Sequence, residues 1–293
     1  MTLTNKSIVF LAITFAVSWG VALGAHFARL SGTVPVQVTL FAMMMGPAVA
    51  AIICAFAFEK GRRIEALGLH FRPNLWWLYA WLIPIALAVA AVVFSILFSS
   101  AQYADIGDTI VAQLEAQGSP QAETVSSVPN LGLIVIAASI VAGALFNFPL
   151  LTFSEELGWR GYLHYLWRPS GFWRASLGTG FIWGLWHAPA IFYYGLNYPE
   201  QRGLGIALFT VFCMLLSPIM TLVRDRAGSV WAAGLLHGTF NAVGGLTLAA
   251  LTVPDFPWNG IVGVGGFMAL AIAVALIALL AKPSALAPRP GAA

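Results

Sequence analysis

The chain has 293 residues, of which 60% are hydrophobic and 9% charged, with a mean hydropathy of +0.86. Soluble domains use about 45–50% apolar residues, so this composition excludes an ordinary soluble fold and points to a membrane protein. The net charge of +3 and the pI of about 9.0 follow from basic residues gathered on one side of the predicted spans, and call for no nucleic-acid partner.

Apolar windows long enough to cross a hydrocarbon core of about 30 Å as helices fall at 6–28, 37–58, 76–98, 131–153, 172–194, 204–223, 229–251 and 258–281. The predicted fold class is therefore all-α: a polytopic membrane protein with about eight transmembrane helices. Small residues at 22–25 (ALGA) resemble a cleavage site, but the apolar run around them is longer than a signal peptide's and only Lys6 precedes it, so the first window reads as a span. Cys54 and Cys213 fall inside windows and read as small buried hydrophobes, not as a disulfide or metal site. Residues 99–129 carry four acidic residues and no basic one, and read as an external polar loop with a short amphipathic helix near 106–116. The Pro/Ala-rich segment 283–293 reads as a disordered tail, leaving 1–282 as a single helical transmembrane domain.

Orientation follows from the basic residues. With a cytoplasmic N-terminus, the cytoplasmic segments hold Lys6, Lys60, Arg62, Arg63, Arg72, Arg160, Arg168, Arg174, Arg224, Arg226, Lys282 and Arg289, leaving only Arg29 and Arg202 of the 14 on the other face. Both termini are then expected in the cytoplasm.

The chemistry-bearing residues stand out against this background. Glu155 and Glu156 end the fourth window, His187 lies in the fifth, and His237 with Asn241 lies in the seventh. Ionisable groups inside a bilayer are expensive and normally face a bundle interior or a wet cavity. Helical spacing predicts that Glu156 pairs with Arg160 along one face while Glu155 points elsewhere, and that Trp183 precedes His187, and His237 precedes Asn241, by one turn. Glu156 is then a charged anchor and Glu155 a candidate general base. Gly180 with Gly184, and Gly234 with Gly238, flank the two histidines at a spacing that predicts close approach of spans five and seven. His26 and His70 are expected in solvated places near membrane edges, and His164 in an interfacial, cytoplasmic segment among Tyr and Trp residues.

The ordered set Glu-Glu-x-x-x-Arg at 155–160, aromatic-x-x-x-His at 183–187 and His-x-x-x-Asn at 237–241, with its surroundings EELGWRGYL, GLWHAPA and GSVWAAGLLHGTFN, resembles the CAAX protease and bacteriocin-processing family of intramembrane endopeptidases. This family, also called Abi, includes the Ras-converting CAAX endopeptidase. Residues 131–251 carry the resemblance; the first three spans share it loosely, as in GPAVAAII at 46–53. Trp183 stands where the family usually has Phe.

The resemblance implies hydrolysis of a peptide bond near the cytoplasmic face, with Glu155 and His187 activating water and His237 and Asn241 stabilising the oxyanion. Spans four, five and seven would converge on a polar cavity. It also implies a peptide or protein substrate, lipidated in the CAAX precedent or a leader or bacteriocin-like precursor in the bacterial one. Likeness to bacterial members places the chain in a bacterial inner (plasma) membrane.

Two readings of the cofactor stay open. Glu155, His187 and His237 would make a His₂Glu set for catalytic Zn²⁺, while the short His-Glu-x-x-His signature is absent and a metal-free glutamate mechanism is also implied for the family. Two other functions compete with the protease: a proton-coupled transporter, for which the expected inverted repeats are not found, and a non-catalytic membrane immunity or scaffold protein.

Overall fold

A computed structural model describes residues 1–252, 256–257 and 260–280. The tail expected at 283–293 lies outside the described residues, as do parts of the last window. Among the described residues the regular structure is helical, apart from an isolated antiparallel bridge between Tyr103 and Leu251.

The helices follow the apolar windows but break where the backbone chemistry demands it. Helix α1 covers Leu3–Phe27, capped by the Thr2 hydroxyl on the Asn5 amide. The second window divides into α2 (Thr33–Met44) and α3 (Gly46–Phe58), parted at Met45 just before Pro47, which cannot donate to the preceding turn. A short α4 (Arg63–Leu67) ends on Gly68 in the left-handed conformation, and α5 spans Leu75–Phe98. In the acidic segment α6 occupies Ile106–Ala116, where a helix is expected, capped by Asp105 on the amides of Gly107 and Asp108; α7 (Ala122–Ser126) follows.

Helix α8 runs from Leu131 to Ser170, continuing 17 residues beyond the predicted end at 153. The fifth window holds α9 (Phe172–Trp186) and α10 (Ala188–Tyr194), parted at His187 ahead of Pro189. Then come α11 (Arg202–Ala227), α12 (Val230–Gly244), the single turn α13 (Leu246–Ala249) and α14 (Val264–Leu280). By length and composition α1, the α2–α3 pair, α5, α8 and α11 are long and apolar enough to cross a membrane, and α14 is a shorter apolar helix.

The contacts divide the chain into two compact units. The first comprises Met1–Trp77, Leu150–Gly234 and, among the described residues, 274–280. Its interior is aromatic: Phe10 meets Trp159 edge-on at 6.1 Å, and Trp159 meets Trp186 at 5.8 Å. Polar bonds fasten α1 to this interior, from the Trp167 indole to Ser7, from the Trp19 indole to the Trp186 carbonyl, and from the Tyr194 hydroxyl to the Ala22 carbonyl. Helix α9 lies against α11 because Gly180 and Gly184 present no side chain: a Cβ there would stand 2.6 Å from the Cys213 carbonyl and 2.5 Å from the Thr210 Cα. Cys54 and Cys213 are buried and free.

The second unit comprises Leu78–Pro149 and Leu235–Ala273. In it the Trp81 indole reaches the Ile140 carbonyl, and the Asn147 amide reaches the Gly238 carbonyl. The acidic segment is tied to the end of α13 by paired backbone bonds between Ala104 and Ala250 and between Thr252 and Gln102.

Candidate functional site

The site-bearing part of α8 is not an ordinary α-helix. From Thr152 to Leu163 it is a π-helix, with amides bonded five residues back; another π stretch covers Gly143–Asn147. Every residue of the longer stretch is buried except Phe153, which packs edge-on against Trp231 at 4.9 Å. Two glycines let the backbone of α3 and α4 come this close. A Cβ on Gly158 would meet Pro47 at 2.5 Å, and one on Gly161 would meet the Leu67 carbonyl at 2.7 Å.

Within this stretch the two carboxylates take different partners. Glu156 Oε1 accepts from Arg160 Nη1 at 3.2 Å, with side chains 0% and 1% exposed, so the pair expected from the spacing is present and fully desolvated. Glu155, 3% exposed, turns towards α9, where its Oε2 accepts from the Trp183 indole N–H at 2.7 Å. The Arg160 guanidinium lies over the face of that same indole, 4.4 Å from the ring centroid. The backbone carbonyl of Arg160 in turn accepts from Arg224 of α11.

His187 occupies the junction between α9 and α10. Its Nδ1 lies 2.9 Å from the Trp183 carbonyl, and the rings of Trp186 and Phe209 stand edge-on to it at 4.6 and 4.7 Å. A bond to a carbonyl requires the proton on Nδ1, so in the neutral ring Nε2 is the acceptor nitrogen. That tautomer suits an imidazole receiving a proton from water.

Glu155, Glu156, Arg160 and His187 are thus brought into the first unit, joined through Trp183. His237 and Asn241 belong to the second unit, four residues apart on α12, with His237 buried and Asn241 exposed. The expected approach of spans five and seven through their glycines is corrected by the packing. Gly180 and Gly184 face α11, whereas Gly234 faces Thr152 and Gly238 faces Asn147 and Phe148, both on α8. A glycine stripe announces close packing but not the partner.

His164 takes a partner that its own segment does not supply. It is buried, with Nε2 3.0 Å from Asp225 Oδ1, while Arg168 Nε donates to Asp225 Oδ2 at 2.7 Å. The sequence signal was a lone acid set between Arg224 and Arg226 at the end of an apolar run. A second buried carboxylate, Glu59, accepts from Lys6 at 2.6 Å and from the hydroxyls of Tyr162 and Tyr165 at 3.4 Å. Both clusters lie in the first unit and fasten α8 to α11, α1 and α3. His26 is exposed and packs against Tyr193 at 4.2 Å, and His70 is half-buried.

Among the described residues no three His, Cys, Asp or Glu side chains form a group that could hold a metal ion. Glu155 and His187 of the first unit supply two donors of the zinc set, one short of the three protein ligands of a catalytic site.

Residues 133–243 match the family described as Type II CAAX prenyl endopeptidase Rce1-like. The match opens near the start of α8, closes in α12 and contains all six candidate residues. No curated protein matches the chain.

Proposed function

We propose that this chain, whose residues 133–243 match the Rce1-like family and whose apolar helices are long enough to span a bilayer, is an integral membrane endopeptidase with a specific hydrolytic site. Glu155 acts as general base with His187, drawing a proton from water as it attacks the scissile carbonyl. His237 and Asn241 donate to the oxyanion of the tetrahedral intermediate, the role the family resemblance carries to them. Glu156 and Arg160 form a buried charged anchor that holds the π stretch in register. Cleavage takes place near the cytoplasmic face, on a membrane-tethered tail, lipidated or of leader-peptide type, in a bacterial inner membrane with both termini cytoplasmic.

The observation that carries this reading is the Glu155 carboxylate itself. It is buried in an apolar helix, bonded to the N–H of Trp183, one helical turn from an imidazole whose tautomer leaves Nε2 as acceptor. A carboxylate there adds nothing to membrane insertion and costs about 2.5–3.5 kcal/mol if unpaired, so its presence calls for a chemical role.

The test is cleavage of membrane-tethered peptides by purified protein, compared with Glu155→Ala, His187→Ala and Asn241→Ala. Loss of the base or the imidazole is expected to cost about 10²–10⁴-fold in turnover, and loss of the Asn241 donor about 10²–10³-fold in kcat. Equal turnover by all four proteins overturns the reading.

A further inference from the structure

Trp183 occupies a position where an aromatic wall beside the histidine is enough by resemblance, yet its contacts go further than a wall. One residue makes three connections: its indole N–H donates to Glu155 at 2.7 Å, its ring face carries the Arg160 guanidinium at 4.4 Å, and its backbone carbonyl lies 2.9 Å from His187 Nδ1. We propose that Trp183 is a positioning residue that sets the two adjacent carboxylates to different tasks. Its N–H aims the Glu155 carboxylate towards the reacting water, while its ring face supports the Arg160 cation that pairs with Glu156. The proposal rests on the protease reading and adds to it a residue that acts through Glu155 and Arg160.

The physical argument is one of donor type and direction. A fixed neutral N–H orients the carboxylate that accepts from it, and a rigid indole held at both its face and its edge fixes that acceptor more tightly than a flexible chain does. Glu156 instead takes its hydrogen bond from the Arg160 guanidinium, which suits an anchor. The backbone of Trp183 also orients His187, so one residue aligns both members of the water-activating pair. Phenylalanine preserves the ring face and the backbone carbonyl but has no N–H, and leucine removes the face as well.

Two variants, Trp183→Phe and Trp183→Leu, separate these contributions. Trp183→Phe is expected to lower kcat by about 10- to 100-fold with KM within about twofold, and to displace the acidic limb of the pH profile. If the ring serves only as packing, Phe matches the unaltered protein in kcat and pH profile while Leu alone falls, and the proposal is overturned. A thermal-melting cycle over Trp183→Phe, Glu155→Leu and the double variant reads the hydrogen bond without turnover. Non-additive melting shifts support the bond, and additive shifts overturn it. A protein that cleaves nothing yet shows a non-additive cycle keeps the positioning of Glu155 and removes the protease reading.

Discussion

The two ends of α8 solve opposite problems with one continuous helix. Between Leu131 and Pro149 it turns large apolar side chains outward, with Leu133, Leu145 and Phe146 among the most exposed, Phe146 at 74%. Between Leu150 and Arg168 almost nothing is exposed, and the interior receives Glu155, Glu156, Arg160, His164 and Arg168. The first stretch is apolar towards lipid; the second is polar towards protein. The wider units repeat the contrast. Among the described residues, the buried Glu and Arg side chains fall in the first unit, whereas the second buries His237 and a few hydroxyls. In a bilayer, a polar group is tolerable only where protein replaces water around it, so the charged stretch marks where this chain has built its own solvent.

The largest effect that would sharpen the contrast comes from breaking a pair in the buried stretch. Glu156→Ala leaves the Arg160 cation buried without its carboxylate, which costs about 3–5 kcal/mol. Phe146→Ala on the exposed stretch should stay within about 0.5 kcal/mol. Thermal melting in detergent reads both. Comparable losses from the two would show that the halves do not differ in the way their burial indicates.

A smaller effect tests why the buried stretch can be so tightly enclosed. Gly158→Ala forces a methyl group against the ring and carbonyl of Pro47 and should cost about 1–3 kcal/mol. Gly20→Ala on α1 meets open space within 4 Å, and there the better helix propensity of alanine gives no loss or a slight gain. Equal melting temperatures for the two variants would show that close approach at Gly158 is not what holds α3 to α8.

These contrasts also separate what the sequence displays from what it hides. The apolar windows locate the helices because a bilayer imposes length and hydropathy on each crossing, and Pro47 and Pro189 mark the breaks that follow them. Glu156 with Arg160 is readable because both partners lie on one helix, a turn apart. The continuation of α8 to Ser170 is not readable, since hydropathy falls at Glu155, Glu156 and Arg160 although their partners bury them. The π geometry leaves no local signal either, and the stretch that adopts it is fitted through Gly158 and Gly161 against Pro47 and Leu67, contacts more than 90 residues distant. The partners of His164 and Trp183 leave no local signal, because Asp225 and Glu155 come from other helices. Local chemistry is legible, and pairing between helices is not.

The smallest expected effect lies outside the membrane spans, at a pair whose partners remain in water. Arg62 donates to Glu65 through both Nε and Nη2, at 3.0 and 2.9 Å, with both side chains more than two-fifths exposed. The hydrogen bonds from Arg62 hold the Glu65 carboxyl below its ordinary range. A carboxyl depressed in the folded state stabilises fully above its unfolded value of about 4.3, and that contribution is lost as pH falls through the folded value. The melting difference between the unaltered protein and Glu65→Gln should therefore be small near neutral pH, shrink further with added salt, and vanish on acidification below the folded value. Because the buried Glu156–Arg160 pair is screened far less, the penalty of Glu156→Ala should survive the same addition of salt. A Glu65→Gln difference that resists both salt and acid would mean that the exposed pair is held by packing and not by charge, and would erase the distinction between ion pairs kept in water and those enclosed by α8.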